Sequence, residues 1–255
     1  MEQRKNVLEN KELIEEILSV YIELYFSKSK KTVDFYERLI SIADCYVFGG
    51  FIVDFLQSKR NHRDIDIVVD SFNPMIDSLM DEFEGTRNSF GGYKLTIGEV
   101  QIDIWEVKNT WAIRKMNYME FDLFSILPST SFFNSTAIIY SIRTKSLAYK
   151  NSFIKYINNG TLDILFEDNP YPELCIIKSY QNYKKRTVLS KKLKTYITQR
   201  FNQVIDRFES TQIRHFGKIE YSTDELINFY LDISDQQKQK RKISHVDSPN
   251  QLVLF

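Results

Sequence analysis

The chain has 255 residues, of which 43% are hydrophobic and 27% charged, and its 34 Lys and Arg are balanced by 34 Asp and Glu. That composition excludes a disordered chain and a uniformly basic nucleic-acid binder. The length suits two small domains joined by a short connection better than one large one.

The N-terminal stretch MEQRKNVLENKELIEE lacks the apolar core of a signal peptide. No apolar run approaches the roughly 20 residues that span a bilayer, so a cytoplasmic protein with no membrane partner is expected. Residues 8–27 and 32–43 carry apolar side chains at helical spacing and read as packing helices. CYVF then reads as a short buried strand, closed by Gly49 and Gly50, and FIVDFLQSK as the helix that follows. A strand, a tight turn and a helix start in that order aim backbone amides and the positive helix end outward, without side chains in the way. Phosphate oxygens bind such a turn.

DIDIVVD has the alternating and then fully apolar texture of a core strand, and SFNPMIDSLMDEF is helical with Pro74 in its first turn. Two strands, 93–97 and 100–107, are joined by a turn at Gly98 and Glu99. After an unpatterned stretch, 136–142 and 162–166 read as further strands flanking a short helix that ends near Gly160. From Pro172 the texture changes to long amphipathic helices, ELCIIKSYQNYKKR, KKLKTYITQRFNQVIDRF and a third opened by Ser222 and Glu225 as a capping box. DQQKQKRKISHVDSPN is polar and aperiodic and reads as a flexible linker. The expected organisation is an α+β catalytic domain over 1–168, with a small mixed sheet flanked by helices. A helical neck or body over 169–234 follows, then a flexible basic tail over 235–255.

Cys45 and Cys175 sit in apolar surroundings without metal-ligand spacing, which points to buried reduced thiols. The acids carry the chemistry. Asp64 and Asp66 are two residues apart on a predicted strand, so both leave the same face while Ile65 and Ile67 point into the core. Side-by-side carboxylates repel unless a cation or a shared proton offsets them, and hard oxygen pairs suit Mg²⁺. Asp103 follows on a second strand, sharing a face with Gln101 and Trp105, and offers a third carboxylate. Three such acids behind a phosphate-binding turn form the ligand set of two-metal phosphoryl transfer, with two Mg²⁺ or Mn²⁺ ions and a nucleoside triphosphate, NTP or dNTP, as substrate.

At these residues the chain resembles the DNA polymerase β-like nucleotidyltransferase superfamily, and within it the head of tRNA CCA-adding enzymes and poly(A) polymerases. The family segment G-G-x-V-R-D-x-L followed by a D-x-D strand is matched by Gly49, Gly50, Ile52, Asp54 and Leu56, then by Arg63, Asp64, Ile65, Asp66 and Ile67. The resemblance implies Asp64, Asp66 and Asp103 as catalytic metal ligands and Gly49, Gly50 and Arg63 as nucleotide contacts. PELCIIKSYQNYKKR resembles the first neck helix and by position makes Lys178, Lys185 and Arg186 phosphate contacts; a solvated basic face is the plain alternative. Val53 stands where the family has arginine, which transfers that residue's task to Lys59, Arg60, Arg63 or the neck. The motif that selects C or A is missing and the chain is short, so a housekeeping CCA-adding role is not expected.

The implied activity is template-independent transfer of a nucleoside monophosphate to a hydroxyl, with a single-stranded nucleic-acid 3′ end as the expected acceptor. One rival is a small antiphage-defence or toxin-type enzyme that makes a nucleotide signal or modifies tRNA or protein. The other is an inactive nucleotide-binding or clamp-docking module. Residues 178–200 hold eight basic residues and no acidic one, and Tyr180, Tyr183 and Tyr196 interleave with them, a mixture that suits single-stranded nucleic acid. His62 reads as an exposed loop histidine. The terminal QLVLF (Gln251, Leu252, Val253, Leu254, Phe255) resembles the peptide by which bacterial proteins dock on the DNA sliding clamp.

Overall fold

The computed structural model describes residues 10–59, 62–88, 91–116 and 122–246, which divide into two units. The first holds the residues up to Gly160 together with Ile164–Asn169, and the second holds Thr161–Asp163 and the chain from Pro170.

In the first unit, alternation along DIDIVV and VQIDIWEV builds a mixed sheet with two distinct faces. Its strands are β1 (Cys45–Phe48), β2 (Ile65–Val69), β3 (Thr86–Arg87), β4 (Tyr93–Ile97), β5 (Val100–Glu106), β6 (Ile138–Ser141) and β7 (Ser146–Tyr149). They lie in the order β3-β4-β5-β2-β1-β6-β7, with β2 and β5 parallel and the other neighbours antiparallel. The helices are α1 (Lys11–Phe26), α2 (Lys30–Ile42), α3 (Gly50–Leu56), α4 (Pro74–Glu82), α5 (Trp111–Met116), α6 (Leu123–Ile126) and α7 (Asn151–Asn159). On one face Val47, Ile65, Ile67, Ile102 and Ile104 meet Leu18, Phe35, Leu39, Ile76 and Met80 from α1, α2 and α4 in the main core. The other face carries Val68 and Ile139, covered by Val107, Ile113 and Leu127 in a smaller cluster.

Local signals place several boundaries. Ser29 and Thr32 bond reciprocally at the start of α2, and Asn73 caps α4 with Pro74 at its first position. Gly160 ends α7 in the left-handed region at φ 68°. The sequence reading lacked β3, β7 and a strand at Val188–Leu189, and the strand expected over 136–142 is the shorter β6. Asp64 lies one residue before β2, and the strand expected over 162–166 shrinks to β8 (Thr161–Leu162) in the second unit. Beyond it, Ile164 makes a lone bridge to Phe133.

The second unit comprises α8 (Pro172–Lys184), β9 (Val188–Leu189) paired with β8, α9 (Lys191–Val204), α10 (Phe208–Phe216) and α11 (Thr223–Val246). The helix read as KKLKTYITQRFNQVIDRF ends at Val204, and a tight 3₁₀ turn at Ile205–Arg207 leads into α10, which the sequence reading lacked. The capping box forms as expected: the Ser222 amide donates to Glu225 Oε2 at 3.0 Å, and the Glu225 amide to Ser222 Oγ at 3.2 Å. The linker expected from 235 is instead a continuation of α11 to Val246. QQKQKRK consists of good helix formers, and the first helix breaker is Pro249. The QLVLF segment lies outside the described residues, and no described helix is long and apolar enough to cross a membrane.

The tyrosines offered above as base platforms belong to the packing. Tyr180 lies against Tyr221 and Phe229, with ring centres 5.1 and 5.2 Å apart, Tyr196 is buried, and the Tyr183 hydroxyl bonds Asp232. Their helical spacing puts them on the inner side of α8 and α9. Both cysteines are buried and free, and burial pushes the Cys45 thiol up.

His215 is expected to make this unit acid-sensitive. Its Nε2 is buried without a hydrogen-bond partner, its ring packs on Tyr171 at 5.6 Å, and burial, then Lys178 and Arg214, lower its pKa from 6.5. The fold therefore holds this proton less tightly than the unfolded chain. Stability present above pH 6.5 is lost as the pH falls below it. Thermal midpoints measured from pH 7 downward should fall more steeply for the parent chain than for His215→Phe. Parallel slopes would acquit His215.

Candidate active site

The central strands bring two of the singled-out residues, Asp66 and Asp103, into one transverse row. Phe48 of β1 is the register partner of Asp66 in β2, Asp66 of Asp103 in β5, and Asp103 of Lys94 in β4. Alternation puts Asp66, Asp103 and Trp105 on the face opposite the main core, where Val68 is buried beneath the covering segments. Adjacent strands lie about 4.8 Å apart, so two carboxylates in register repel by roughly 3 kcal/mol at an effective dielectric near 20.

The surroundings offset this charge only in part. Lys94 Nζ stands 3.7 Å from Asp103, and Arg63 donates from Nε and Nη2 to Asp64 Oδ2 at 2.9 and 2.6 Å. Burial still raises the pKa of Asp103, with Asp64 adding to the rise and Lys94 and Arg63 opposing it. The carboxylates in turn raise the pKa of Arg63, the bond to Asp64 foremost and Asp66 and Asp103 more remotely. Three carboxylates thus share the field of two cations, Arg63 and Lys94. Its donors are hard carboxylate oxygens on adjacent strands, which fits a divalent cation such as Mg²⁺. Asp64 is occupied by Arg63, however, and among the described residues no group of three potential ligands is gathered for a metal.

Gly49 and Gly50 form the turn from β1 into α3, with Gly49 at φ 45°. The Gly49 amide donates to Ile138 O at 2.9 Å, so this N–H belongs to the sheet. Val53 is buried in the main core, Lys59 is paired with Asp54 at 2.8 Å, and Arg60 lies outside the described residues. Arg63 is therefore the described cation of this segment that meets the acids. Lys178, Lys185 and Arg186 belong to the second unit: Lys178 is half-buried on α8, and Lys185 and Arg186 are exposed at its C-terminal end.

His62 corrects the sequence reading. Its side chain is 2% exposed, its ring lies 4.3 Å from that of Phe51, and its Nε2 is 2.5 Å from the Tyr21 hydroxyl. The apolar faces of Phe51 and Tyr25 draw the ring inward and lower its pKa by burial. The sequence reading also missed a wall of aromatic residues beside Asp66 and Asp103, formed by Phe48, Trp105, Trp111, Phe132 and Phe166. Trp105 was readable from strand alternation on the Asp103 face, while Trp111, Phe132 and Phe166 gave no signal beyond aromatic content in segments without period.

No family model and no curated protein matches the sequence. Solved structures match the fold. A CCA-adding enzyme bound to ATP is 15% identical, with a TM-score of 0.57, over 86% of this chain and 51% of that one. A CCA-adding enzyme with CTP is 16% identical at 0.56, over 81% and 52%. The Thermotoga maritima CCA-adding enzyme complexed with tRNA is 14% identical at 0.55, over 83% and 53%. The chain spans about half the length of these structures. What this chain shares with them is the fold, a mixed sheet flanked by helices.

Proposed function

We propose that the chain transfers a nucleoside monophosphate from a nucleoside triphosphate to an acceptor hydroxyl, releasing pyrophosphate, with a nucleic-acid 3′ end as acceptor. The observation that carries this reading is the register pair Asp66 and Asp103, set beside the Gly49–Gly50 turn in a nucleotidyltransferase fold. The solved relatives with CTP, ATP and tRNA support triphosphate and nucleic acid as the substrates.

Asp66 and Asp103, with Asp64 once Arg63 releases it, would hold Mg²⁺. When bound, the ion lowers the pKa of the attacking hydroxyl and stabilises the charge of the leaving pyrophosphate. The residues of the chain then divide the remaining work. Amides from Gly50 onward hold phosphate oxygens, and Arg63 turns its guanidinium from Asp64 to the triphosphate. The acceptor oxygen forms a bond to the α-phosphorus as the bond from that phosphorus to the β-bridging oxygen breaks. Pyrophosphate leaves with the electron pair, and the hydroxyl proton passes to Asp103 or to water. Lys178, Lys185 and Arg186 serve as phosphate contacts in this reading.

Incubating the purified chain with each α-labelled triphosphate and Mg²⁺, with total tRNA, with single-stranded DNA or without acceptor, tests the reading. Label entering a nucleic acid is expected. Label appearing only in acid-soluble oligonucleotides or in protein would move the acceptor to the rival class.

A further inference from the structure

The face that carries Asp66 and Asp103 opens into a cavity of about 260 Å³ within the first unit. Phe48 and Trp105 rise from the sheet with rings 5.8 Å apart, and Trp111 and Phe166 meet edge to face at 5.5 Å. Phe132 completes the wall. All five side chains are half-buried, so their rings are only partly covered by the protein. Trp105 Nε1 donates to Thr110 Oγ1 at 3.0 Å, which fixes the indole beside the acids.

The polar lining consists of Asn88, Asn109, Thr110 and Thr130, and no Lys or Arg stands among the described residues that line the cavity. Lys94, 3.7 Å from Asp103, and Lys115, 5.3 Å over the Trp111 ring, adjoin the lining without belonging to it. Neutral amides and hydroxyls around aromatic faces match an uncharged planar ring with donors and acceptors on its edge.

We propose that this cavity seats a nucleobase, stacked against Trp111 and Trp105, with its sugar directed to Asp66 and Asp103. The proposal rests on the nucleotide-transfer reading for the identity of the ring's carrier. Two carriers share this chemistry: the incoming triphosphate and the terminal nucleotide of the acceptor. The lining includes the two acids and omits Gly49, Gly50 and Arg63, which favours the acceptor side.

Trp105 and Trp111 are the two tryptophans of the chain, so its intrinsic tryptophan fluorescence reports on this cavity alone. The full chain is titrated without Mg²⁺ with adenosine, cytidine, their triphosphates and a short single-stranded oligonucleotide. Saturable quenching by a phosphate-free nucleoside is expected. Kinetics then separate the carriers: Trp111→Ala should raise the KM of one substrate about tenfold with kcat nearly unchanged, and Trp111→Phe should restore it. A raised oligonucleotide KM assigns the base to the acceptor, a raised triphosphate KM to the incoming nucleotide, and either supports the proposal. Unquenched fluorescence with both KM values unchanged in Trp111→Ala overturns it, even while transfer proceeds. If nucleosides quench but the parent chain transfers nothing, the proposed activity fails and the cavity assignment stands.

Discussion

Asp103→Asn is expected to lower nucleotide transfer by about a thousandfold while leaving the fold at least as stable as the parent. Ion-assisted charge stabilisation contributes several kcal/mol to such a step, and each 1.36 kcal/mol is tenfold in rate. Asparagine keeps the shape and removes the charge on which that contribution depends. The stability sign is opposite to that of an ion-paired surface acid. Burial and Asp64 raise the Asp103 pKa above 3.8, so the folded chain holds this proton more tightly than the unfolded one. The group's contribution to stability declines as the pH rises from 3.8 through the folded value, and at neutral pH its charge is a cost. kcat/KM and the thermal midpoint, measured near neutral pH without added metal for the midpoint, separate the two effects. Unimpaired transfer would remove Asp103 from the site.

Gly49→Ala is expected to cost about 3 kcal/mol or more of stability. Its φ of 45° disfavours any side chain, and a Cβ there would stand 2.9 Å from Thr136 O and 3.0 Å from Thr136 Cβ. The bond from its amide to Ile138 O keeps the backbone from moving aside. Gly50 is the control next door: its Cβ direction meets nothing within 4 Å, and its φ is not positive. Gly50→Ala should fold with stability within about 1 kcal/mol of the parent and act on the triphosphate KM, since phosphate oxygens need the space. Urea midpoints and KM values check both substitutions. Equal stability of Gly49→Ala and the parent would mean that the turn relaxes.

The elements that carry the acids were legible because their patterns are local. Alternation in DIDIVV and VQIDIWEV assigns Asp66 and Asp103 to one face, and the turn glycines mark the step from β1 to α3. Ser222 and Glu225 announce α11 through side-chain to backbone bonds three residues apart. Most of the aromatic wall was not legible, because Trp111 comes from a six-residue helix and Phe132 and Phe166 from irregular segments with no period to read. His62 and Tyr180 were misplaced for a related reason. A polar edge on an aromatic body suits a surface or a core equally, and only the partners Tyr21, Phe51 and Phe229 decide. The pairing of Arg63 with Asp64 is likewise a matter of side-chain geometry that spacing does not carry.

The most direct test is the stoichiometry of the reaction. Pyrophosphate and incorporated α-labelled nucleotide are measured in the same incubation, for the parent and for Asp66→Asn. The parent should release one pyrophosphate per nucleotide transferred, and Asp66→Asn should lose both signals together. Orthophosphate as the product, or full pyrophosphate release by Asp66→Asn, would contradict a nucleotidyl transfer built on Asp66 and Asp103.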